Sequence, residues 1–335
     1  MRRVLCCCAA ACGLALAAPL TASGDGLPVT GVDAGPEGVT NPAAGVRYVA
    51  LKAGRGETLV ARVMKDGGEV LRSRILDARF TVPAVALDAT PSGLSADGRT
   101  FALIRPRTGF PQPRTRLALL DARKLRLADV VTLRGDFSFD ALSPDGRTMY
   151  LIEYLSRRDV TRYAVRAFDV RAGRLLREPI VDPREPDERM RGMPITRATS
   201  PDGRWEYTLY DGAGEHPFVH ALDTMRGEAA CIDLDALTGL QRLYELRLEV
   251  AGGELRVLDG AEPLALIDRA TFRVAEPSSA PMRPARERAA RDDGGTPWRV
   301  PAIACAALLL AFATIRRRRT ARTRSRSRLS TSATT

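Results

Sequence analysis

The stretch FSFDALSPDGRTMYLIEY, residues Phe137 to Tyr154, decides how this chain is read. A short run reaches Ser143, the Asp145-Gly146 pair supplies a tight reversal, and Arg147 opens a run of aliphatic, aromatic and β-branched residues. That order is a hairpin signal. Two further stretches repeat it, LSADGRTFALI at 94–104 and TSPDGRWEYTLY at 199–210. The Asp-Gly pairs at 97–98, 145–146 and 202–203 recur after 48 and 57 residues, a period of blade-type repeats and not of helical solenoids.

Outward from these hairpins, short strand-like runs follow one another from Val46 to Val274, among them Thr58–Met64, Arg116–Asp121, Tyr163–Val170 and Phe218–Asp223. Compact turns such as Arg171-Ala172-Gly173 and Met225-Arg226-Gly227 separate the later strands of each set, and no run of ten or more residues has a helical period. The domain is therefore all-β. The order of hairpin turn, strand, loop, strand, tight turn and strand closely resembles the TolB-type, WD-like repeat of β-propellers, on the S-P-D-G-R runs at 143–147 and 200–204 with Ala96 in place of Pro in the first copy. The resemblance implies a propeller of about five, five to six, four-stranded blades over residues 46–275. The first set, Arg47 to Leu76, shows no innermost strand, so a C-terminal segment near Thr271–Val274 is expected to supply it and close the ring.

The ends carry an address. Residues 1–24, with Arg2 and Arg3 before an apolar run, read as a signal peptide; an uncleaved anchor or a lipoprotein site at Cys12 are the alternatives. Residues 25–45, rich in Gly and Pro, read as a flexible lead-in, and 276–297 as a disordered stalk of about 25 Å root-mean-square span. Residues 298–315 read as one C-terminal transmembrane helix, with Trp298 and Arg299 at its edge and a basic cytoplasmic tail at 316–335. Gly294-Gly295 leaves open a sorting signal in which this segment is removed. The expected location is the cell membrane, single-pass, propeller outside and tail in the cytoplasm.

The net charge of +11 looks like a nucleic-acid signal until it is located. Arg2, Arg3, Arg299 and eight arginines after Ile315 lie outside the exported region, which leaves 40 basic residues against 40 acidic ones between Asp25 and Trp298. No nucleic-acid partner is expected, because no basic face is available for phosphates. Four of six cysteines lie in the signal and Cys305 in the C-terminal apolar run, so Cys231 stands alone in the exported region and no disulfide can form within it.

His216 and His220 are the only histidines and Pro217 prevents a helix from putting them on one face, so no metal site is expected. GLSADG at 93–98 lacks the last glycine of a nucleophile elbow, and its serine belongs to a turn. No catalytic residue and no cofactor is assigned. Asp97, Gly98, Asp145, Gly146, Asp202 and Gly203 are read as structural turn residues, in which Asp caps the turn and Gly takes positive φ.

In a blade, connections alternate between two faces, and here the long ones share one face: 105–114, 155–162, 182–193 and 211–217. Long loops on one rim of a rigid scaffold are where binding residues sit. The candidates are Arg105, Arg107, Phe110, Arg157, Arg158, Asp159, Arg184, Asp187, Arg191, Tyr210, Asp211, Glu215 and His216. The function these imply is a membrane-tethered, extracytoplasmic binding module for a protein, peptide or envelope glycan. Two alternatives stand beside it, a propeller hydrolase or lyase with carboxylates in the central channel and a purely structural envelope module. The topology makes the first prediction: protease added to intact cells degrades residues 46–275 and spares a tag placed after Thr335, and protection of both overturns the orientation.

Overall fold

A computed structural model describes residues 34–187 and 190–276; the segments read as signal peptide, transmembrane helix and basic tail lie outside the described residues. Among the described residues there is no α-helix, and none long and apolar enough to cross a membrane. Strands β1–β4 (Val39–Asn41, Val46–Ala53, Glu57–Met64, Val70–Leu76) form the first antiparallel sheet in chain order. Strands β5–β7 (Thr100–Ile104, Arg114–Asp121, Arg126–Arg134) form the second, and β8–β11 (Phe137–Leu142, Thr148–Tyr154, Tyr163–Asp169, Arg174–Ile180) the third. The fourth is β12–β15 (Pro194–Thr199, Trp205–Tyr210, Phe218–Asp223, Glu228–Asp233) and the fifth β16–β19 (Arg247–Ala251, Glu254–Asp259, Glu262–Asp268, Val274–Ala275). Five blades in sequence are the β-propeller arrangement that the S-P-D-G-R repeat resembles.

Strand alternation holds the blades together, because a strand between two sheets must bury both of its faces. In β5, Phe101 and Leu103 pack with Tyr48 and Val60 of the first blade, while Ala102 and Ile104 pack with Phe137, Phe139 and Leu151 of the third. In the fourth blade, Tyr210, Phe218 and Leu222 meet Tyr150, Ile152 and Tyr163 of the third, and Tyr207, Leu209 and Val219 meet Leu248, Leu255 and Val257 of the fifth.

The three repeats build one clasp. Ser143 Oγ donates to Asp145 Oδ1 at 2.8 Å and accepts from the Thr148 N–H at 2.9 Å, while Asp145 Oδ1 accepts from the Arg147 N–H at 3.1 Å. Ser95 with Asp97 and Ser200 with Asp202 repeat the arrangement. The clasps also lean on one another: the Asp97 N–H donates to the Pro144 carbonyl at 3.0 Å.

Two expectations are corrected. The innermost strand of the first blade is β1, inside the stretch read as lead-in, and not a C-terminal segment. A three-residue 3-10 turn at Pro42–Ala44, capped by the Asn41 side chain and closed by Gly45 at φ 59°, makes this hairpin local. Local closure costs far less chain entropy than joining distant ends, and Val274–Ala275 instead completes the fifth blade against Leu266 and Ile267. The second blade has only three regular strands, since Pro83 and Pro91 remove ladder donors from the run that would be its innermost strand. That run folds into an irregular hairpin with single bridges Ala84 to Pro91 and Leu94 to Phe101. Its tip crosses to the fourth blade, where the Leu87 and Asp88 N–H groups donate to the carbonyls of Pro194 and Ile195 at 2.8 and 3.2 Å.

Gly146 has φ 69°, and a Cβ there would lie 2.3 Å from Thr100 Oγ1 and 2.6 Å from Thr100 Cβ. Gly146→Val is expected to cost about 3 kcal/mol or more, from backbone strain and the clash combined. Asp145→Asn keeps an oxygen for both donors and should cost less than about 1 kcal/mol. Urea titrations of the two variants check the contrast, and equal losses would overturn the clasp as its cause.

Candidate functional site

The third and fourth blades meet in two layers, a buried polar knot near the inner strands and an open cleft at the long-loop rim. The knot begins with a β-bulge in β8, between Phe139 and Ala141, that takes Asp140 out of register. Arg197 of β12 reaches it across the interface, ion-paired to Asp140 Oδ1, with both side chains 3% exposed. Its Nη1 donates to the Asp140 carbonyl at 2.6 Å and its Nε to Thr208 Oγ1 at 2.9 Å. Glu206 stands 4.0 Å from Arg197 and accepts from Thr199 Oγ1 at 2.7 Å.

Ladder register explains the gathering. Arg197, Thr208, His220 and Cys231 are successive Cα partners across β12 to β15, so they form one row on the face turned to the third blade. Burial pushes Glu206 up to about 7 against the pull of Arg197 and the Thr199 hydroxyl, and burial holds His220 down at about 4. His220 Nε2 and Asp140 Oδ2 have no hydrogen-bond partner among the described residues. Beside the knot, Ser138, Asp140, Tyr154, Tyr163 and Tyr210 line a cavity of about 10 Å³ under Val85. That is room for about one water and for no substrate. Both carboxylates of this knot, Asp140 and Glu206, are buried against Arg197.

Outside this layer a cleft of about 430 Å³ opens against the third blade and the loop that follows it, with Cys231 as its contact with the fourth blade, walled by Leu155, Tyr163, Val165, Ile180, Val181 and Met190. Its charged lining residues are Glu153, Arg166, Asp182, Glu185 and Asp187. A second lobe of about 330 Å³ shares Leu155, Tyr163 and Met190 and adds Asp159, Arg162 and Arg191.

The predicted residues divide between rim and interior. Asp159, Asp187 and Arg191 line the cleft, with Arg157 and Arg158 exposed on the loop beside Asp159. Arg184 is a clamp, ion-paired to Asp182 at 2.5 Å and donating to the Cys231 carbonyl at 2.8 Å. Glu215 and His216 lie at a small neighbouring hollow, where His216 Nε2 is 3.1 Å from Asp233 Oδ1. Asp211 braces its loop by accepting from the N–H groups of Met193 and Ala213 at 2.8 and 3.0 Å. Arg105 is exposed on a separate loop and hydrogen-bonds through its backbone to Arg116.

Three of the candidates are not on the rim at all. Arg107 is buried in an ion pair with Asp136 and lies 5.3 Å from the centroid of the Tyr154 ring. Phe110 packs edge-on against that same ring at 5.6 Å, and Tyr210 stacks between Phe218 and Tyr163 at 5.2 and 5.6 Å. The loop residues Arg107 and Phe110 and Tyr210 of β13 had an interior to meet: aromatic contact is favourable, and the Arg107 charge is tolerated there because Asp136 pairs it.

Sequence reading missed Tyr163, Val181 and Met190 in the cleft, which carry no signal by type. It also missed Asp140 and Arg197, for which a signal existed: each is the single charge inside a short strand run, FSFDAL and PITRAT.

No family model matches this chain, and no curated protein matches it. Solved structures similar to it include BamB of Moraxella catarrhalis, at 17% identity over 74% of this chain and 62% of that one with a TM-score of 0.42. TolB of Acinetobacter baumannii is 16% identical over 71% of this chain and 60% of that one, TM-score 0.31. The β-propeller domain of Cps50 (Swd1) of Myceliophteria thermophila is 12% identical over 69% of each chain, TM-score 0.38. The chain spans about three fifths of the length of the first two.

The knot makes a pH prediction with a definite sign. Glu206 binds its proton more tightly folded than unfolded, so its contribution is full below about pH 4.5 and is lost as pH rises through about 7. His220 acts oppositely: its contribution is present above about pH 6.5 and is lost as pH falls through about 4. Glu206→Gln removes the first and keeps the second. Its stability relative to the parent should climb by about 3 kcal/mol, from about 1.4 kcal/mol per unit of pKa shift, between pH 4.5 and 7. Urea unfolding at several pH values measures the difference, and a constant offset would refute the assignment.

Proposed function

We propose that this chain is an exported, membrane-tethered β-propeller that binds a partner protein or peptide through the long-loop rim between its third and fourth blades. The observation that carries this reading is the open cleft of about 430 Å³, within the size range of binding sites and walled mainly by apolar side chains. The loop residues 182–187 that border it are anchored at their root: Asp182 accepts from the Cys231 N–H at 2.8 Å and from Arg184, so the cleft is built on blade backbone. Among the described residues Tyr163 is the only aromatic side chain in its lining, and aliphatic walls suit a polypeptide better than a sugar ring. The apolar segment at 298–315 and the stretch at 276–297 would hold the domain at the outer surface of the membrane.

A photo-crosslinking residue at Val181, on the cleft wall, tests this in intact cells beside the same residue at Val70 on the first blade. Val181 is expected to capture a discrete partner that Val70 does not. Replacing 185–189 with a short Gly-Ser run, which spares the Asp182 and Arg184 anchors, should leave the thermal midpoint within a few degrees and reduce capture at least tenfold. Equal capture from both positions, or capture unchanged by the replacement, would remove the cleft as the site.

A further inference from the structure

The cleft is electrically polar along its length, and this constrains what fits. In the larger lobe, Glu153 pairs with Arg166 and Asp182 with Arg184, so each of these couples is neutral by itself. Glu185 and Asp187 remain; both are exposed, and neither forms an ion pair with a described residue. That end is negative. In the smaller lobe, Arg162 and Arg191 face a single carboxylate, Asp159, which lies 3.9 Å from Arg191 and accepts from Thr161 Oγ1 at 2.6 Å. Arg157 and Arg158 are exposed on the same loop. That end is positive, and Leu155, Tyr163 and Met190 form the apolar stretch between the two.

Both ends are braced. An antiparallel bridge joins Arg162 to Arg191, and the Gly192 N–H donates to the Thr161 carbonyl at 3.3 Å, tying the two loops of the positive end together. At the negative end the Glu185 N–H donates to the Asp182 carbonyl at 3.1 Å, and Asp182 is itself fixed to the fourth blade through Cys231. Charges held apart on a rigid frame select for a complementary ligand and reject like charge.

We propose that the occupant of this cleft is an extended peptide segment with a cationic side chain at one end, a carboxylate at the other and apolar side chains between. The cation lies against Glu185 and Asp187, the carboxylate against Arg162 and Arg191, and the apolar side chains against Tyr163, Met190 and Leu155. The carboxylate comes from an acidic side chain or from a chain terminus, two sources of one chemistry. This rests on the binding reading above and adds the chemical class of the ligand to it.

The test uses the full-length chain in detergent and fluorescent ten-residue peptides with a Leu-Val-Ala centre. The ends carry Lys and Glu in either order, two Lys, two Glu or no charge, each with a free and an amidated C-terminus. A mixed-charge peptide is expected to bind at least tenfold more tightly than the like-charged and uncharged ones, with an advantage that shrinks between 50 and 300 mM salt. Loss of affinity on amidation identifies a chain terminus as the carboxylate; no loss identifies a side chain. Glu185→Lys with Asp187→Lys should move the preference to the two-Glu peptide. Arg162→Glu with Arg191→Glu should move it to the two-Lys peptide. The first pair lies on an exposed turn, so it decides the matter even if the second variant is unstable. Peptides that bind regardless of charge, or swaps that leave the order unchanged, overturn this inference while the cleft stays a peptide site. Binding of no peptide, together with no capture at Val181, overturns both.

Discussion

Every inner sheet of this protein has to bury two faces at once. The inner strands of the second, third and fourth blades therefore send alternate side chains to opposite neighbours, as Phe101 and Ala102 of β5 do. A single-residue slip would exchange the two sets, so register is specified from both sides. The Ser-Asp-Gly clasps fix that register where the chain turns. Their tight contacts with the neighbouring blade, as between Gly146 and Thr100 or the Asp97 N–H and the Pro144 carbonyl, set the spacing of the blades.

The buried pair of Asp140 and Arg197 sits oddly in this scheme, since an apolar pair of similar volume would pack without desolvating two charges. Its geometry shows what it does. The guanidinium spends its donors on a carboxylate and a backbone carbonyl of the third blade and on a hydroxyl of the fourth, so it fixes the two blades at a bulge where the ladder itself is interrupted. Tyr150, donating to the Thr224 carbonyl at 2.7 Å, adds a second polar stitch across the same interface. The inner half of the interface is filled in this way apart from a cavity of about 10 Å³, and the larger space among the described residues lies toward the long loops.

The loops at that rim are less free than their length suggests. Asp159, Asp182 and Asp211 each turn back to accept backbone N–H groups of their own loop, so these carboxylates shape the loops. The residues left facing solvent, Arg157, Arg158, Glu185 and Asp187 among them, are those without such a duty, and Glu185 and Asp187 line the cleft.

The amino-acid sequence by itself determined the all-β class, the blade repeat and the hairpin positions. Those follow from local chemistry: the period-two alternation, positive φ at Gly98, Gly146 and Gly203, and the capping aspartates. Only the tertiary structure decided which loop residues went inside, which segment completed the first blade and where the cleft lay. Arg107 and Arg157 are the same residue type on two long loops, yet one is buried on Asp136 and the other is exposed. Asp140 and Arg197 are 57 residues apart, and nothing in either run names the other. Burial and pairing are properties of the neighbour across the interface, and in a stack of sheets that neighbour is set by packing and not by adjacency in the chain.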